Sequence, residues 1–169
     1  MTLYIPNMFY WKYQDIPEDE ITILQEKYRK ILPNNFEFFQ VVPLDLKTFM
    51  GLKISRAVLI QVEPNAKGRI HTDFRPEGYS LALNIPLENC ENSITTMWDA
   101  AAEVVEIRYT TNNSPYHYYN PNLCKKITEF SLTKPVLFDT SVPHAVDNYS
   151  DNWRRAISLR FEPDPWHLT

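Results

Sequence analysis

Two short segments of the sequence carry side chains that could bind a metal ion together. His71 and Asp73 form a His-x-Asp triplet, and His144 follows much later in the chain. Two imidazoles and one carboxylate can occupy one face of an iron(II) ion and leave its other coordination positions open for oxygen and a second ligand. The pattern therefore predicts a metal site in which these three residues are the ligands and the catalytic centre.

The direction of the side chains supports this prediction. In an extended segment, residues two apart point to the same side, so His71 and Asp73 would face one way. His144 must then come from a distant strand that lies beside the first, as strands do in a jelly roll. His117 lacks a carboxylate at ligand spacing and His167 lies near the C-terminus. We expect both of these to be surface or stacking residues.

A strand with two different faces is predicted after His144. Arg154 lies ten residues after His144, and it would share a small, polar strand face with Ala156 and Ser158, while Arg155 begins the other, mostly apolar face. The polar face could line a pocket for a carboxylate, with Arg154 as a bidentate clamp and Ser158 as a hydroxyl donor. The alternation favours Arg154 over Arg155. In the other interpretation, both arginines lie at the surface in ion pairs.

The remaining pattern predicts short strands that follow a helical start. Residues 17–32 have apolar side chains at helical spacing, begin with proline and acidic residues, and are followed by Pro33. Residues 44–52 are predicted as a second, shorter helix, and residues 112–123 as a loop or lid. Alternation predicts the following strands: 54–62, 69–74, 79–85 (ended by Pro86), 94–98, 104–110, 126–132, 136–139 and 154–161. This order favours a mainly β protein with N-terminal helices, built as a jelly roll or double-stranded β-helix.

Composition narrows the class of protein. The length of 169 residues suits one domain, with helical support in about 1–53 and a jelly-roll core in 54–162. A net charge of −4 and the lack of a long Lys and Arg run argue against nucleic acid as a partner. The sequence has no apolar run long enough to cross a membrane and no secretory-signal pattern, so we expect a cytoplasmic protein without a membrane association. Cys90 and Cys124 are expected to be free thiols.

The motif residues resemble a known family. The order His71-x-Asp73, then His144, then Arg154-x-Ala156-Ile157-Ser158 resembles the iron(II)/2-oxoglutarate-dependent dioxygenases. The likeness is to small prolyl- and aspartyl/asparaginyl-hydroxylase-like and phytanoyl-hydroxylase-like members, and it covers residues 58–86 and 136–161. It implies a double-stranded β-helix core, iron held by the triad, and the distal carboxylate of 2-oxoglutarate held by Arg154. The chain departs from the aspartyl/asparaginyl hydroxylases proper, which commonly lack the carboxylate ligand that Asp73 supplies.

The resemblance also implies an activity. It is the hydroxylation of a small molecule, an amino acid or a peptide side chain by molecular oxygen, with release of succinate and carbon dioxide. Asn84 is a further candidate for co-substrate binding, although a polar residue at a strand end near Pro86 explains it equally well. For substrate contact, the sequence suggests four residues: Phe74, Arg75, Tyr79 and Trp98.

Two other functions are compatible with the same residues. One is a cupin-like metalloenzyme that does not use 2-oxoglutarate, which would have no need for Arg154 and Ser158 in these positions. The other is a non-catalytic binding module on the same fold, which would have no chemical need for a complete set of three ligands.

Overall fold

The computed structural model describes residues 8–32, 39–73, 79–100, 106–110, 113 and 115–169. This part of the chain contains one α-helix, α1 (Glu18–Tyr28). Its β-strands are the following: β1 (Trp11–Tyr13), β2 (Phe39–Pro43), β3 (Thr48–Phe49), β4 (Leu52–Val62), β5 (His71–Asp73), β6 (Leu81–Glu88), β7 (Ser93–Ala100), β8 (Glu106–Tyr109), β9 (Pro115–Tyr118), β10 (Cys124–Ser131), β11 (Val136–Asp139), β12 (His144–Asn148) and β13 (Arg154–Phe161).

The strands form two antiparallel sheets. The first sheet has the order β1-β11-β6-β13-β4-β2, with β3 paired to β4, and the second has the order β10-β7-β12-β5-β9-β8. From β4 to β7, and again from β11 to β13, the chain crosses from one sheet to the other with each strand. This connectivity is that of a double-stranded β-helix, and it confirms the predicted jelly roll.

The outer face of the first sheet packs against α1. Because side chains alternate along a strand, every second residue of β13 points to the helix, and the residues between them point into the sandwich. The buried members of this outer cluster are these: Ile21, Leu24, Tyr28, Phe49, Ile54, Ala57, Leu81, Leu83, Ile85, Leu137, Ile157, Leu159 and Phe161. A second cluster, which includes Met97, Phe130 and Phe138, fills part of the space between the sheets.

The predicted second helix at residues 44–52 is wrong. Thr48 and Phe49 form β3, and the chain then reverses so that Phe49 pairs with Leu52 at the start of β4. Met50 and Gly51 have φ angles of 49° and 75°. Two successive left-handed residues make the tight turn of a β-hairpin, which is incompatible with a helix. The N-terminal part of the chain, predicted to be helical, therefore contains three strands besides α1.

The first helix is shorter than predicted, and an arginine from β13 contacts the chain that follows it. The helix ends at Tyr28, and the side chain of Arg155 donates hydrogen bonds to the carbonyl oxygens of Arg29, at 3.1 Å, and Ile31. Carbonyl groups at the end of a helix have no partner within it, and a cation is favourable there. Arg155 thus stabilises the chain where it leaves the helix, four residues before the predicted end.

One strand prediction and one loop prediction also need correction. β6 continues through Pro86 to Glu88, because the pairing with β13 shifts register beside this proline. Such an irregularity accommodates a residue that has no N–H to donate. The predicted loop at residues 112–123 contains β9, which pairs with both β5 and β8.

The thiols of Cys90 and Cys124 are free, as predicted. No helix in the described ranges is long and apolar enough to span a lipid bilayer.

The two faces of β13 can be tested separately by truncating Leu159. This side chain is 0% exposed and packs in the outer cluster, so Leu159→Ala should lower the free energy of unfolding by about 2–5 kcal/mol in urea denaturation. Its neighbour Ser158 faces the opposite way. The folded variant should therefore bind metal and co-substrate as the wild type does, and weaker binding would contradict the separation of the faces.

Candidate functional site

The predicted metal ligands lie together between the two sheets. β12 runs beside β5 with His144 directly opposite His71, and the two ring centroids are 4.4 Å apart. Asp73 points to the same side, with its Oδ1 3.6 Å from His71 Nε2. One ligand atom from each of the three residues lies within 4.8 Å of the others, so the group could hold one metal ion.

Backbone carbonyl groups fix the orientation of both imidazoles. His71 Nδ1 lies 2.8 Å from the carbonyl oxygen of Arg69, and His144 Nδ1 lies 2.9 Å from that of Val142. Because a carbonyl oxygen only accepts, each Nδ1 carries the hydrogen and each Nε2 keeps a free lone pair. Burial, followed by repulsion from His71, lowers the pKa of His144 to about 3. Its ring is therefore neutral at neutral pH, which is the form that binds metals, and such carbonyl partners are typical of metal-binding histidines.

Asp73 is held from the opposite sheet by Arg160. The Arg160 Nη2 donates to Asp73 Oδ2, and the arginine side chain is only 9% exposed. With one carboxylate oxygen bound in this way, the other is left to face the imidazoles. Arg160 is not among the site residues that the sequence predicts. Alternation along β13 extends from Arg154 and Ser158 to Arg160, but local sequence does not show that Arg160 meets Asp73 across the sandwich.

Three polar side chains on the inner face of the first sheet have spare hydrogen-bonding capacity. Arg154 and Ser158 lie on β13, and Asn84 lies on β6 directly opposite Ser158. All three are buried. Within the described ranges, Arg154 Nη2, Ser158 Oγ and Asn84 Oδ1 have no hydrogen-bond partner. Since buried polar atoms are normally hydrogen-bonded, this group fits a polar ligand.

Arg154 provides the strongest electrostatic feature of the group. It is 1% exposed, and its Nε donates to Ser93 Oγ at 3.2 Å. No ion pair joins it to an acidic residue in the part of the chain that the structure describes. Burial lowers the pKa of its guanidinium, but arginine stays protonated in proteins. A buried charge without a counter-ion is unfavourable, so this environment suits an anionic ligand.

The neighbouring Arg155, unlike Arg154, has protein partners for its charge. It faces α1, where it donates to Gln61 Oε1 at 3.1 Å and forms an ion pair with Glu88 at 2.7 Å. Together with the carbonyl groups at the end of α1, these partners satisfy its charge. The structure thus places Arg154 in the cavity and Arg155 in the core contact with the helix.

The His–Asp–His group, Arg160 and the three polar side chains of the first sheet line a single cavity of about 420 Å³. This volume lies in the lower part of the range of about 300–1,000 Å³ for ligand pockets. The metal-ligand group forms one wall. Branched aliphatic side chains of β2 and β4 form another: Val41, Val58, Ile60 and Val62. Arg56 and Arg69 also belong to the lining.

Gly68 allows the segment before His71 to approach β12 closely. A Cβ atom at this position would lie 2.4 Å from the carbonyl oxygen of Val146 and 2.7 Å from its nitrogen. Its backbone N–H donates to Asp147 Oδ1 at 2.8 Å. Only glycine fits this close approach. The contact holds the segment that leads to His71 against β12, the strand that carries His144.

The two histidines that were expected to lie outside the site, and the four residues suggested for substrate contact, are accounted for as follows. His167 is exposed in a short helical turn at Trp166–Leu168, and His117 pairs with Thr72, whose side chain points away from the ligand group. Tyr79 and Trp98 are not part of the described cavity lining. Phe74 and Arg75 lie outside the described residues.

Tyr116 lines the cavity; the sequence predicts that the aromatic segment 116–119 could cover a small molecule or bind a peptide, but as a loop and not as a strand. It lies opposite Asp73 on β9, and its ring centroid is 5.6 Å from that of His71. The polar and aromatic composition around it predicts a loop. The alternation of Tyr116 and Tyr118 was the available signal for a strand.

Comparisons with known proteins define the fold. Neither models of protein families nor curated protein sequences match this sequence. Among solved structures, a prolyl-4-hydroxylase from Pseudomonas putida is similar, with 14% identity, a TM-score of 0.52, and coverage of 91% of this chain and 92% of the hydroxylase. An oxalate decarboxylase from Lactobacillus farciminis has a TM-score of 0.42, and one from Bacillus subtilis has 0.39, each with 14% identity over 80% of this chain. The chain spans 32% and 29%, respectively, of those decarboxylase chains.

At this level of identity, the likeness to the hydroxylase describes the fold alone. The chain is a double-stranded β-helix protein, and its inner surface carries a His–Asp–His group that could hold a metal ion.

Iron binding tests the ligand group directly. Anaerobic iron(II) at about 100 times its dissociation constant should raise the melting temperature of the wild type by roughly 5–10 °C, because a ligand of the native state stabilises it. His144→Ala should show no shift, since it removes a buried ligand atom. His167→Ala removes an exposed imidazole outside the cavity and should respond as the wild type does. A full shift in His144→Ala would exclude this residue as a ligand.

The close approach at Gly68 gives a second test. Gly68→Ala should destabilise the protein by about 1–3 kcal/mol, because the added methyl group must displace the chain from β12. It should also weaken iron binding, since His71 follows three residues later. Gly51→Ala is the matched control: its φ of 75° makes alanine unfavourable, but a Cβ there meets no atom within 4 Å. If both variants lose stability and keep the same iron affinity, Gly68 does not position the site.

Proposed function

We propose that the chain is an iron(II)- and 2-oxoglutarate-dependent oxygenase that hydroxylates a small molecule, an amino acid or a peptide side chain. The observation that carries this proposal is the buried charge of Arg154, which shares one cavity with His71, Asp73 and His144. A metal site alone would not require that charge. The resemblance of the motif residues to this family and a fold similar to that of a prolyl hydroxylase support the same conclusion.

The ligand set suits iron(II). His71 and His144 would offer Nε2 and Asp73 would offer Oδ1, which leaves three positions of an octahedral ion for other ligands. When bound, iron(II) and 2-oxoglutarate supply the oxidation of a C–H bond by molecular oxygen, in which the co-substrate becomes succinate and carbon dioxide and one oxygen atom enters the substrate. Arg160 would keep Asp73 in a one-oxygen binding mode by holding its Oδ2.

The inner face of β13 would hold the co-substrate. Arg154 Nη2 can donate a charge-assisted hydrogen bond to the distal carboxylate, and Ser158 Oγ can donate a second one. Ala156 lies between these two residues on the same face, and its short side chain leaves space above the strand. Asn84, opposite Ser158, offers a further polar contact.

Apolar side chains would keep water from the metal. The ring of Phe138 meets that of His144 at 5.2 Å, edge to face, and Val58 and Ile60 line the facing part of the sheet. The exclusion of water strengthens the electrostatic interactions inside the cavity and protects the reacting centre from side reactions.

The test is anaerobic visible spectroscopy with iron(II) and 2-oxoglutarate. The wild type should develop a weak metal-to-ligand charge-transfer band. Arg154→Met should require about 10- to 100-fold more 2-oxoglutarate for the same band, since a hydrogen bond to a charged group contributes about 1.5–3 kcal/mol. Arg29→Met is the control, because it removes a half-exposed arginine that pairs with Glu88 outside the cavity.

The alternatives give different spectra. A protein that binds iron(II) but develops no band with 2-oxoglutarate would be a cupin-like metalloenzyme and not a member of the proposed class. If the protein binds no iron at all, the remaining hypothesis is a non-catalytic binding module. Where the band forms, release of succinate on addition of oxygen and trial substrates measures the reaction itself.

A further inference from the structure

The turn between β6 and β7 contacts the beginning of β13 through two side chains. Asn89 has a φ of 53°, which asparagine adopts more readily than most residues, and its Nδ2 donates to the carbonyl oxygen of Trp153 at 3.0 Å. The thiol of Cys90 donates to the carbonyl oxygen of Arg155, also at 3.0 Å. Trp153 and Arg155 flank Arg154 in the chain, so the turn holds the backbone on both sides of this arginine.

These contacts lie where the pairing between β13 and β6 is interrupted. Arg155 lies opposite Glu88 and Ala156 lies opposite Pro86, so the register shifts between these two pairs. An interruption of this kind bends a strand and changes the direction of the side chains near it. The regular ladder therefore does not by itself fix the direction of the Arg154 side chain.

The hydroxyl group of Ser93 supplies a contact to the guanidinium itself. Ser93 is the first residue of β7 and is 2% exposed. Its hydroxyl donates to the carbonyl oxygen of Cys90 at 2.7 Å and accepts from Arg154 Nε at 3.2 Å. Because the hydroxyl has only one hydrogen, the bond to Cys90 leaves its lone pairs for the arginine. The turn thus orients the acceptor that Arg154 uses.

This contact leaves the terminal nitrogens of Arg154 for a ligand. The single N–H of Nε is used by Ser93, and a guanidinium is planar, so an acceptor at Nε fixes the plane of the whole group. Nη2 is buried and has no hydrogen-bond partner within the described ranges. A long side chain that is immobilised before binding loses less conformational entropy when its ligand arrives. An arginine held in this way binds a carboxylate more tightly than one that is free to turn.

From this geometry we propose that Ser93 is a positioning residue for the co-substrate: it holds the guanidinium of Arg154 so that the Nη atoms face the distal carboxylate of 2-oxoglutarate. The proposal rests on the proposed function and adds a residue of the second sheet to that site. Ser93 is not part of the described cavity lining, so it acts through Arg154 and not by contact with the ligand.

The experiment is the anaerobic charge-transfer titration of the iron-loaded protein with 2-oxoglutarate. Ser93→Ala removes the acceptor and leaves the guanidinium free to turn, so the affinity for 2-oxoglutarate should fall about 10-fold, as for the loss of one hydrogen bond. The affinity for iron(II), measured by thermal shift, should stay unchanged, because His144 pairs with Met97, four residues further along β7.

Ser131→Ala is the matched control. The hydroxyl of Ser131 donates to the carbonyl oxygen of Glu91, in the same turn, at 2.9 Å, and Ser131 does not line the described cavity. A loosened turn would weaken 2-oxoglutarate binding in both variants. A loss of orientation at Arg154 would weaken it only in Ser93→Ala.

A second pair of variants keeps the test independent of how well Ser93→Ala folds. Ser93→Thr and Ser93→Val have almost the same shape, and both are suited to a strand, but only threonine keeps the hydroxyl. Ser93→Thr should bind 2-oxoglutarate about 10-fold more tightly than Ser93→Val. Equal affinities in these two variants would contradict the proposal.

The double variant Ser93→Ala/Arg154→Met separates positioning from a general structural role. If Ser93 acts through Arg154, its removal has no further effect once the guanidinium is absent, so the double variant and Arg154→Met should have the same affinity for 2-oxoglutarate. A further 10-fold loss in the double variant would overturn the proposal. So would equal affinities of Ser93→Ala and the wild type, or equal losses in Ser93→Ala and Ser131→Ala.

Failure of the proposed function is a different result, because the wild type itself then lacks the charge-transfer band. Glutarate, a dicarboxylate of the same length without the keto group, then tests the role of Ser93 through the thermal shift of the metal-free protein. Stabilisation that is reduced in Ser93→Ala but not in Ser131→Ala would support that role. No stabilisation of the wild type, or equal stabilisation of all three proteins, would exclude it.

Discussion

The candidate site depends on the pairing of two short strands, β5 and β12, which places His144 directly opposite His71. Because side chains alternate along a strand, a shift of one residue would turn one imidazole away from the other. β5 has only three residues, so neighbouring contacts must hold it in register. Gly68 packs on Val146 before the strand begins, and the N–H of Asp73 donates to the carbonyl of Thr140 at 3.2 Å where the strand ends.

β13 separates the cavity from the hydrophobic core within a single strand. Arg154 and Arg155 are adjacent in sequence, both are buried, and they lie on opposite faces. Arg155 is satisfied by protein groups, including Glu88 and Gln61, so its charge contributes to the contact with α1. Arg154 lacks an acidic partner in the described structure, and a buried cation of that kind destabilises the fold unless an anion joins it. The difference in partners, more than the difference in burial, distinguishes Arg155, which has a structural role, from Arg154, which we propose binds a ligand.

Local alternation explains what could be predicted from the sequence. A period of two is enough to place His71 with Asp73 and Arg154 with Ser158, because both relations lie within one strand. Relations between strands were not accessible in this way. Arg160 meets Asp73 across the sandwich, and β9 acquires its strand conformation by pairing with distant β5 in a segment whose composition predicts a loop. The failed helix at residues 44–52 has a different cause: Met50 adopts a positive φ that its residue type does not suggest.

The burial of Arg154 has a consequence for how the cavity would hold an acid. Interactions of an exposed charge are weakened by water and salt, and those of a buried charge much less so. Arg154 is almost fully buried, and it lies in the same cavity as the His–Asp–His group. An acid whose carboxylate reaches Arg154 should therefore keep its affinity as the salt concentration rises. The proposed co-substrate, which must stay bound while a substrate enters and a product leaves, needs an anchor of this kind.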